Sequence, residues 1–290
     1  MIDPGLKDRV VLITGANNPY GIGAGVALAF AAQGAKVFLH YFQQPGKVTS
    51  DEPTLPGMAF YWSQQFKSAD EVLERVRSLG VEACALKADL SDPATPAITF
   101  DRAEEALGPV EVLVNNAAHW EADTFLPSSE ELENKLVELF ADRVRNFGPD
   151  AFDRTFAVNT RAPALMISEF ARRHIKREGR WGRIINVSTD GAERFPSEIT
   201  YGASKLALES YTRSAASELG KFGVTVNAVS LGPVQTGWIS AALEQEILPA
   251  IPLGRIGEPA DIADVIVFLA SDQAGWLTGQ RIHVGGGHRM

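Results

Sequence analysis

The chain has 290 residues, 45% of them hydrophobic and 22% charged, which is the mixture of a folded globular protein and not of a disordered one. Twenty-seven lysines and arginines against 36 acids give a net charge of −9, so no basic field exists to hold a nucleic-acid backbone. The single cysteine, Cys84, excludes an internal disulfide framework and suits a reducing, cytoplasmic compartment.

The first strand is read at Val10–Ile13, followed by a helix over Gly23–Gln33. Val10 to Ala35 carries no charge, yet Asn17-Asn18-Pro19 breaks it. The apolar run Ile22–Ala32 also falls well short of the ~20 residues that a membrane span needs. A strand at Lys36–Leu39 leads into a long connection, Phe42–Lys67, which ends in the aromatic cluster Phe60-Tyr61-Trp62. Next come a helix at Ala69–Ser78, a strand at Ala83–Leu86, a helix at Pro93–Ala106 and a strand at Val110–Val114. A second long connection, His119–Gly148, contains an acidic stretch, Ser128–Asn146, that is expected to be helical. The remainder alternates again: helix Phe152–Lys176, strand Ile184–Val187, helix Tyr201–Lys221, strand Val224–Val229, helix Pro259–Ala270 and strand Arg281–Val284.

Strand and helix in strict alternation make βαβ units, so the fold class is α/β: a doubly wound, parallel, seven-stranded sheet of Rossmann type. One domain over residues 1–290 is expected to carry both dinucleotide binding and catalysis. It is interrupted by two insertions, about 42–67 and 119–148, as lids, binding loops or plain surface elaborations.

Between the first strand and the first helix lies Thr14-Gly15-Ala16-Asn17-Asn18-Pro19-Tyr20-Gly21-Ile22-Gly23. Glycines permit a tight turn and let main-chain N–H groups approach a pyrophosphate, to which the helix N-terminus adds positive potential. The second strand ends His40-Tyr41-Phe42 with no acid before Asp51. A carboxylate there would bind a ribose 2′-hydroxyl and repel a 2′-phosphate, so its absence favours NADP over NAD, with Lys47 the nearest cation. Tyr201 and Lys205 are four apart and share a helix face, so a phenol and an ammonium can address one ligand, the cation favouring the phenolate. None of the five histidines pairs at metal-ligand spacing, so no metal is expected, and His174 reads as a surface residue near a helix end.

Together the glycine loop, Asn115-Asn116-Ala117-Ala118, Ile184-Ile185-Asn186-Val187-Ser188 and Tyr201-Gly202-Ala203-Ser204-Lys205 resemble the short-chain dehydrogenase/reductase family, in its 3-oxoacyl-carrier-protein reductase branch. The loop has five residues between its first two glycines where the family usually has three, Ala118 stands for a glycine, and Leu231-Gly232 stands where Pro-Gly is usual. The resemblance implies a catalytic set of Asn159, Ser188, Tyr201 and Lys205: proton donor Tyr201, substrate hydrogen bond from Ser188, and a water held by Asn159 linking Lys205 to solvent. It implies cofactor contacts from Thr14, Gly15, Gly21, Ile22 and Gly23, from Tyr41 at the end of the second strand, and from Asp89 and Leu90 after the third. Further contacts are implied for Asn116, Ala117 and Ala118, for Tyr201 and Lys205, and for Pro233, Val234 and Thr236 near the nicotinamide. Asp89 reads equally well as a helix N-cap.

The expected activity is hydride transfer between NADP and a carbonyl or alcohol, a 3-oxoacyl thioester being one candidate, by a homotetramer. An enoyl reductase is the alternative within enzymes, although that group has six residues between its tyrosine and lysine and this chain has three. A nucleotide-sensing protein with little turnover is the alternative outside them. The loops around Trp120–Phe125, Gly191–Ile199 and Trp238–Leu248 are apolar and aromatic and lack an arginine cluster, which disfavours strongly anionic substrates.

Overall fold

The computed structural model describes residues 3–45, 53–127 and 132–289. Seven strands form one parallel sheet: β1 (Val10–Thr14), β2 (Lys36–Tyr41), β3 (Ala83–Lys87), β4 (Val110–Asn115), β7 (Gly182–Thr189), β8 (Val224–Leu231) and β9 (Arg281–Val284), in the order β3-β2-β1-β4-β7-β8-β9. A separate two-stranded ladder, β5 (Asp123–Thr124) with β6 (Arg145–Asn146), lies in the second insertion.

Every residue of β1, β7 and β8 is buried, as a sheet covered on both faces requires. The period-two alternation sorts their side chains into two layers. Val11, Ile13, Val37, Leu39, Val112 and Val114 pack with α1 (Ile22–Ala32), α3 (Asp70–Arg77) and α9 (Pro259–Ala270). Val10, Leu12, Phe38, Leu113 and Ile184 face α4 (Thr95–Leu107), α6 (Ala162–Lys176) and α7 (Ile199–Leu219). β1 and β4 are neighbours, but the chain leaves β1 toward β2 and leaves β4 toward β7, so the crevice at their carboxyl ends is the topological switch point.

Three expectations need correction. The helix expected over Phe152–Lys176 is longer and interrupted: α5 (Pro149–Phe156) passes through a π turn, Ala157–Arg161, before α6 resumes. Most of Ser128–Asn146 is not α-helical: Lys135–Leu139 is a single 3₁₀ turn and Arg145–Asn146 is strand, while Ser128–Glu131 lies outside the described residues. His174 is buried rather than exposed, stacked on Phe170 with Nε2 3.0 Å from the Phe222 carbonyl, because the helix turns that face inward. In the first insertion, the aromatic cluster forms α2 (Met58–Gln65) and Lys47 lies outside the described residues.

Candidate active site

The crevice between β1 and β4 opens into a cleft of about 390 Å³. Its floor depends on the absence of two side chains. Gly15 has φ +72° and a Cβ there would lie 2.7 Å from Ala117 Cα; a Cβ on Gly23 would lie 2.5 Å from the Gly15 carbonyl oxygen. Thr14 sits beneath this floor as a clamp: its Oγ1 accepts the main-chain N–H groups of Asn116 and Ala117, each at 3.0 Å. Asn116 Nδ2 donates back to the carbonyls of Thr14 and Gly15 at 2.8 and 2.9 Å. The α1 N-terminus faces the cleft through Gly21, Ile22 and Gly23. An open glycine floor beneath a helix N-terminus fits a dinucleotide pyrophosphate.

The extra length of the glycine loop has a physical use. Asn17 Nδ2 donates to the carbonyls of Gln65 and Lys67 at 3.3 and 3.0 Å, and Asn18 Nδ2 donates to the Thr236 carbonyl at 3.1 Å. Tyr20 meets Phe60 edge to face at 5.1 Å, and the Gly57 N–H donates to the Gly237 carbonyl at 2.8 Å. The first insertion is therefore strapped to the glycine loop on one side and to the loop after β8 on the other, and α2 puts Tyr61 and Gln65 into the cleft wall.

Of the expected cofactor residues, Gly15, Gly21, Ile22, Gly23, Asp89, Leu90, Asn116, Ala117, Ala118 and Thr236 line the cleft. Tyr41 does not. Strand alternation turns it toward α3, where it bonds the Ala69 main chain, and His40 and Phe42 on either side line the cleft instead. Burial lowers the His40 imidazole to about 4, so it is neutral at pH 7. Pro233 and Val234 back the loop from behind: Val234 is buried and the Pro233 carbonyl accepts the Gly257 N–H at 3.0 Å. Asp89 accepts the Ser91 N–H at 2.8 Å in a turn, whereas α4 starts later with Ala94 as its N-cap, so Asp89 does not cap it. Residues 42–45, which continue β2, carry no acid, although the charges of Asp70 and Asp89 reach Tyr41 and His40 from neighbouring segments, and Lys87, the register partner of Tyr41, bonds Gln43 there at 2.9 Å.

Beside the cleft, α7 brings Tyr201 and Lys205 onto one face, the ammonium 5.7 Å from the phenol ring centroid. Lys205 is buried, donates to the Val187 carbonyl at 2.8 Å, and is lowered by burial to about 8 despite the opposing charge of Glu209. Tyr201 departs from the sequence expectation of a lowered phenol. Burial, followed by the charges of Glu198 and Asp190 and the neighbouring Tyr61 phenol, pushes it well above its ordinary value, so the phenol is fully protonated at neutral pH. Asn159 lies in the π turn, wholly buried. It accepts the His119 N–H at 2.7 Å and donates to the His119 carbonyl at 2.8 Å and to Ser204 Oγ at 3.0 Å. It ties the chain beyond β4 to α7. The π turn supplies the irregularity that turns this amide sideways out of the helix.

Ser188 is turned inward. Its Oγ donates to Glu209 at 2.7 Å, and Arg281 holds the other Glu209 oxygen at 3.1 Å. Alternation along β7 sends Thr189 to the opposite face, where its hydroxyl accepts the Gly191 N–H at 3.3 Å. Counting back from Tyr201 locates the strand end but not which side chain faces the cleft.

The family model described as enoyl-(acyl carrier protein) reductase matches residues 57–289. The chain belongs to the short-chain dehydrogenase/reductase family. It is 35% identical to NADPH-dependent aldehyde reductase 2 of Arabidopsis thaliana, over 97% of this chain and 94% of that one. It is 32% identical to a 3-oxoacyl-[acyl-carrier-protein] reductase of Pseudomonas aeruginosa, over 98% and 99%. A solved blue fluorescent protein from a metagenomic library, in complex with NADPH, superposes with a TM-score of 0.75 at 29% identity, covering 98% of this chain and 99% of that one. The protein is thus a nicotinamide-dependent oxidoreductase that moves a hydride between its cofactor and a carbonyl or alcohol. Among the described residues no helix is long and apolar enough to cross a membrane, and no group of three or more His, Cys, Asp or Glu side chains could hold a metal ion.

Proposed function

We propose that the protein reduces a ketone or aldehyde with NADPH, Tyr201 delivering the proton. The observation that carries this reading is the pairing of a protonated, half-buried phenol with the Lys205 ammonium on one face of α7 beside a glycine-floored cleft. The nucleotide is NADP: residues 42–45 after β2 carry no carboxylate, and Lys87, bonded to Gln43 there, is a cation for a 2′-phosphate. The bound nicotinamide supplies the hydride to the carbonyl carbon. Tyr201 gives its proton to the carbonyl oxygen, and the neighbouring ammonium stabilises the phenolate that remains. Thr236 would face the carboxamide, with Val234 and Pro233 backing its loop from behind.

Asn159 acts by holding the His119 main chain and the α7 face in register. The hydroxyl that polarises the carbonyl is assigned to Thr189, because Ser188 is committed to Glu209. Three residues between Tyr201 and Lys205 favour carbonyl over enoyl reduction. The exposed Phe125, Phe147, Phe152 and Trp276 support assembly into a homotetramer, and the unpaired Cys84 supports a cytoplasmic setting.

The test is Tyr201→Phe assayed for NADPH oxidation with a panel of ketones, aldehydes and acetoacetyl thioester. The expected outcome is a loss of turnover of roughly 10²- to 10⁴-fold with NADPH binding retained. Turnover equal to the parent would remove Tyr201 from the chemistry, and absence of turnover in the parent itself would favour a sensing role.

A further inference from the structure

One ionisable group beside the phenol neither gives nor takes the proton in that transfer. Glu198 immediately precedes α7, three positions before Tyr201, and is 5% exposed. Its carboxylate accepts Trp120 Nε1–H at 2.5 Å, its other oxygen makes no hydrogen bond, and no lysine or arginine among the described residues stands within ion-pair distance of it. A buried carboxylate with one weakly polar partner is costly, since ions in such places are normally paired.

The surroundings define what could satisfy it. Trp120 and Asp123 face it from the second insertion. Asp190 faces it from the β7–α7 connection, itself held by His288 at 2.5 Å. Arg289 in the C-terminal segment sends positive charge toward it while lying over the Phe195 ring at 4.9 Å, and Tyr201 on α7 feels its charge directly. Burial, together with Asp123 and Asp190, pushes Glu198 up to about 7, against the Trp120 hydrogen bond and Arg289. Beyond Trp120 the wall is aromatic: Phe140 lies 5.6 Å from the Trp120 ring, and Trp238 5.2 Å from Phe140. The arrangement is an apolar wall with one hydrogen-bond acceptor next to the proton donor, in a field that repels anions.

We propose that Glu198 is a specificity-determining residue that accepts a hydrogen bond from a hydroxyl or protonated amine adjoining the substrate carbonyl. This rests on the reading of Tyr201 as the proton donor, and it selects neutral or cationic hydroxy- and amino-carbonyl compounds with an apolar or aromatic body. A site whose acceptor is left bare discriminates against the analogue that lacks the donor. A negatively charged Glu198 also opposes formation of the Tyr201 phenolate, so a donor that neutralises it aids the proton transfer.

The test compares 2-hydroxyacetophenone with 2-methoxyacetophenone and acetophenone, the methoxy compound keeping the inductive effect while removing the donor. The parent is expected to favour the hydroxy ketone over the methoxy ketone by at least about tenfold in kcat/KM. Glu198→Gln, which retains an acceptor for Trp120, is expected to erase that preference to within about threefold, the loss of its charge beside Tyr201 acting on all three ketones alike. Its pH profile for the hydroxy ketone should also lose an inflection near 7, which a merely structural role would not move. Equal rates for the hydroxy and methoxy ketones in the parent, or an undiminished preference in Glu198→Gln, would overturn the proposal. Binding is followed separately by quenching of tryptophan fluorescence in the NADPH complex. Should no ketone be reduced while 2-hydroxyacetophenone binds the parent at least about tenfold more tightly than Glu198→Gln, the reductase reading fails and the role of Glu198 stands. Equal binding to both would remove that role.

Discussion

The two insertions are fastened by different forces. The first reaches the sheet through amide and main-chain hydrogen bonds, from Asn17 to Gln65 and Lys67 and from Gly57 to Gly237, with Phe60 set against Tyr20. The second is gathered around a charge: Glu121 bonds Arg154 and His119, each at 2.8 Å, and pairs with Arg145 at 3.0 Å. Neutral bonds at a shielded seam change little with pH or salt, whereas an ion cluster follows both. The cofactor side of the cleft is thereby insulated from solution conditions and the substrate side is not.

The comparison can be broken most severely at the first insertion. Phe60→Ala removes the ring that braces α2 against Tyr20 and Gly237 without touching the cleft wall. NADPH affinity, measured by fluorescence titration, should fall about tenfold, equivalent to roughly 1.4 kcal/mol. Unchanged affinity would mean that α2 is only an ornament on the surface.

The second insertion is probed through Glu121. Burial opposes its ionisation, but hydrogen bonds and charge from Arg154 and His119 outweigh this and lower the carboxyl to about 2 from 4.5. A depressed folded value means stability that is complete above about pH 4.5 and is lost as the pH falls toward 2. Glu121→Gln should cost about 1–2 kcal/mol at pH 7, allowing for solvent screening, and its denaturation midpoint should be flatter than the parent's across that window. The smallest effect concerns salt. Raising it from 0.1 to 1 M should lower the parent's Tm by about 1–2 °C more than that of Glu121→Gln, and should leave the Phe60→Ala difference intact.

The sequence disclosed whatever depends on spacing or on a missing side chain. Gly15 and Gly23 stand out because no other residue fits the floor, and Tyr201 and Lys205 stand out because a helix repeats every 3.6 residues. It disclosed less where direction decides. At the strand ends, one step exchanges Tyr41 for His40 and Phe42 in the cleft, or turns Thr189 away from the Glu209 side that Ser188 faces, and composition is silent about which points where. The acidic run in the second insertion reads as a helix, but Lys135–Leu139 forms a 3₁₀ turn and Arg145–Asn146 pairs as strand with Asp123–Thr124, contacts that the run's composition does not announce. Tyr61 and Glu198 were hidden for another reason: each is given its meaning by a neighbour far away in the chain, Tyr61 by the cleft and Glu198 by Trp120.

The five residues between Gly15 and Gly21 include two asparagines whose side chains reach across to the end of α2 and to the loop that follows β8. Loop length and helix are consequently one inherited unit. Trimming the loop to three residues would remove the Asn17 bonds that hold the end of α2, and grafting α2 onto a shorter-looped reductase would omit those bonds. Homologues that gain or lose one of these features are expected to gain or lose the other with it.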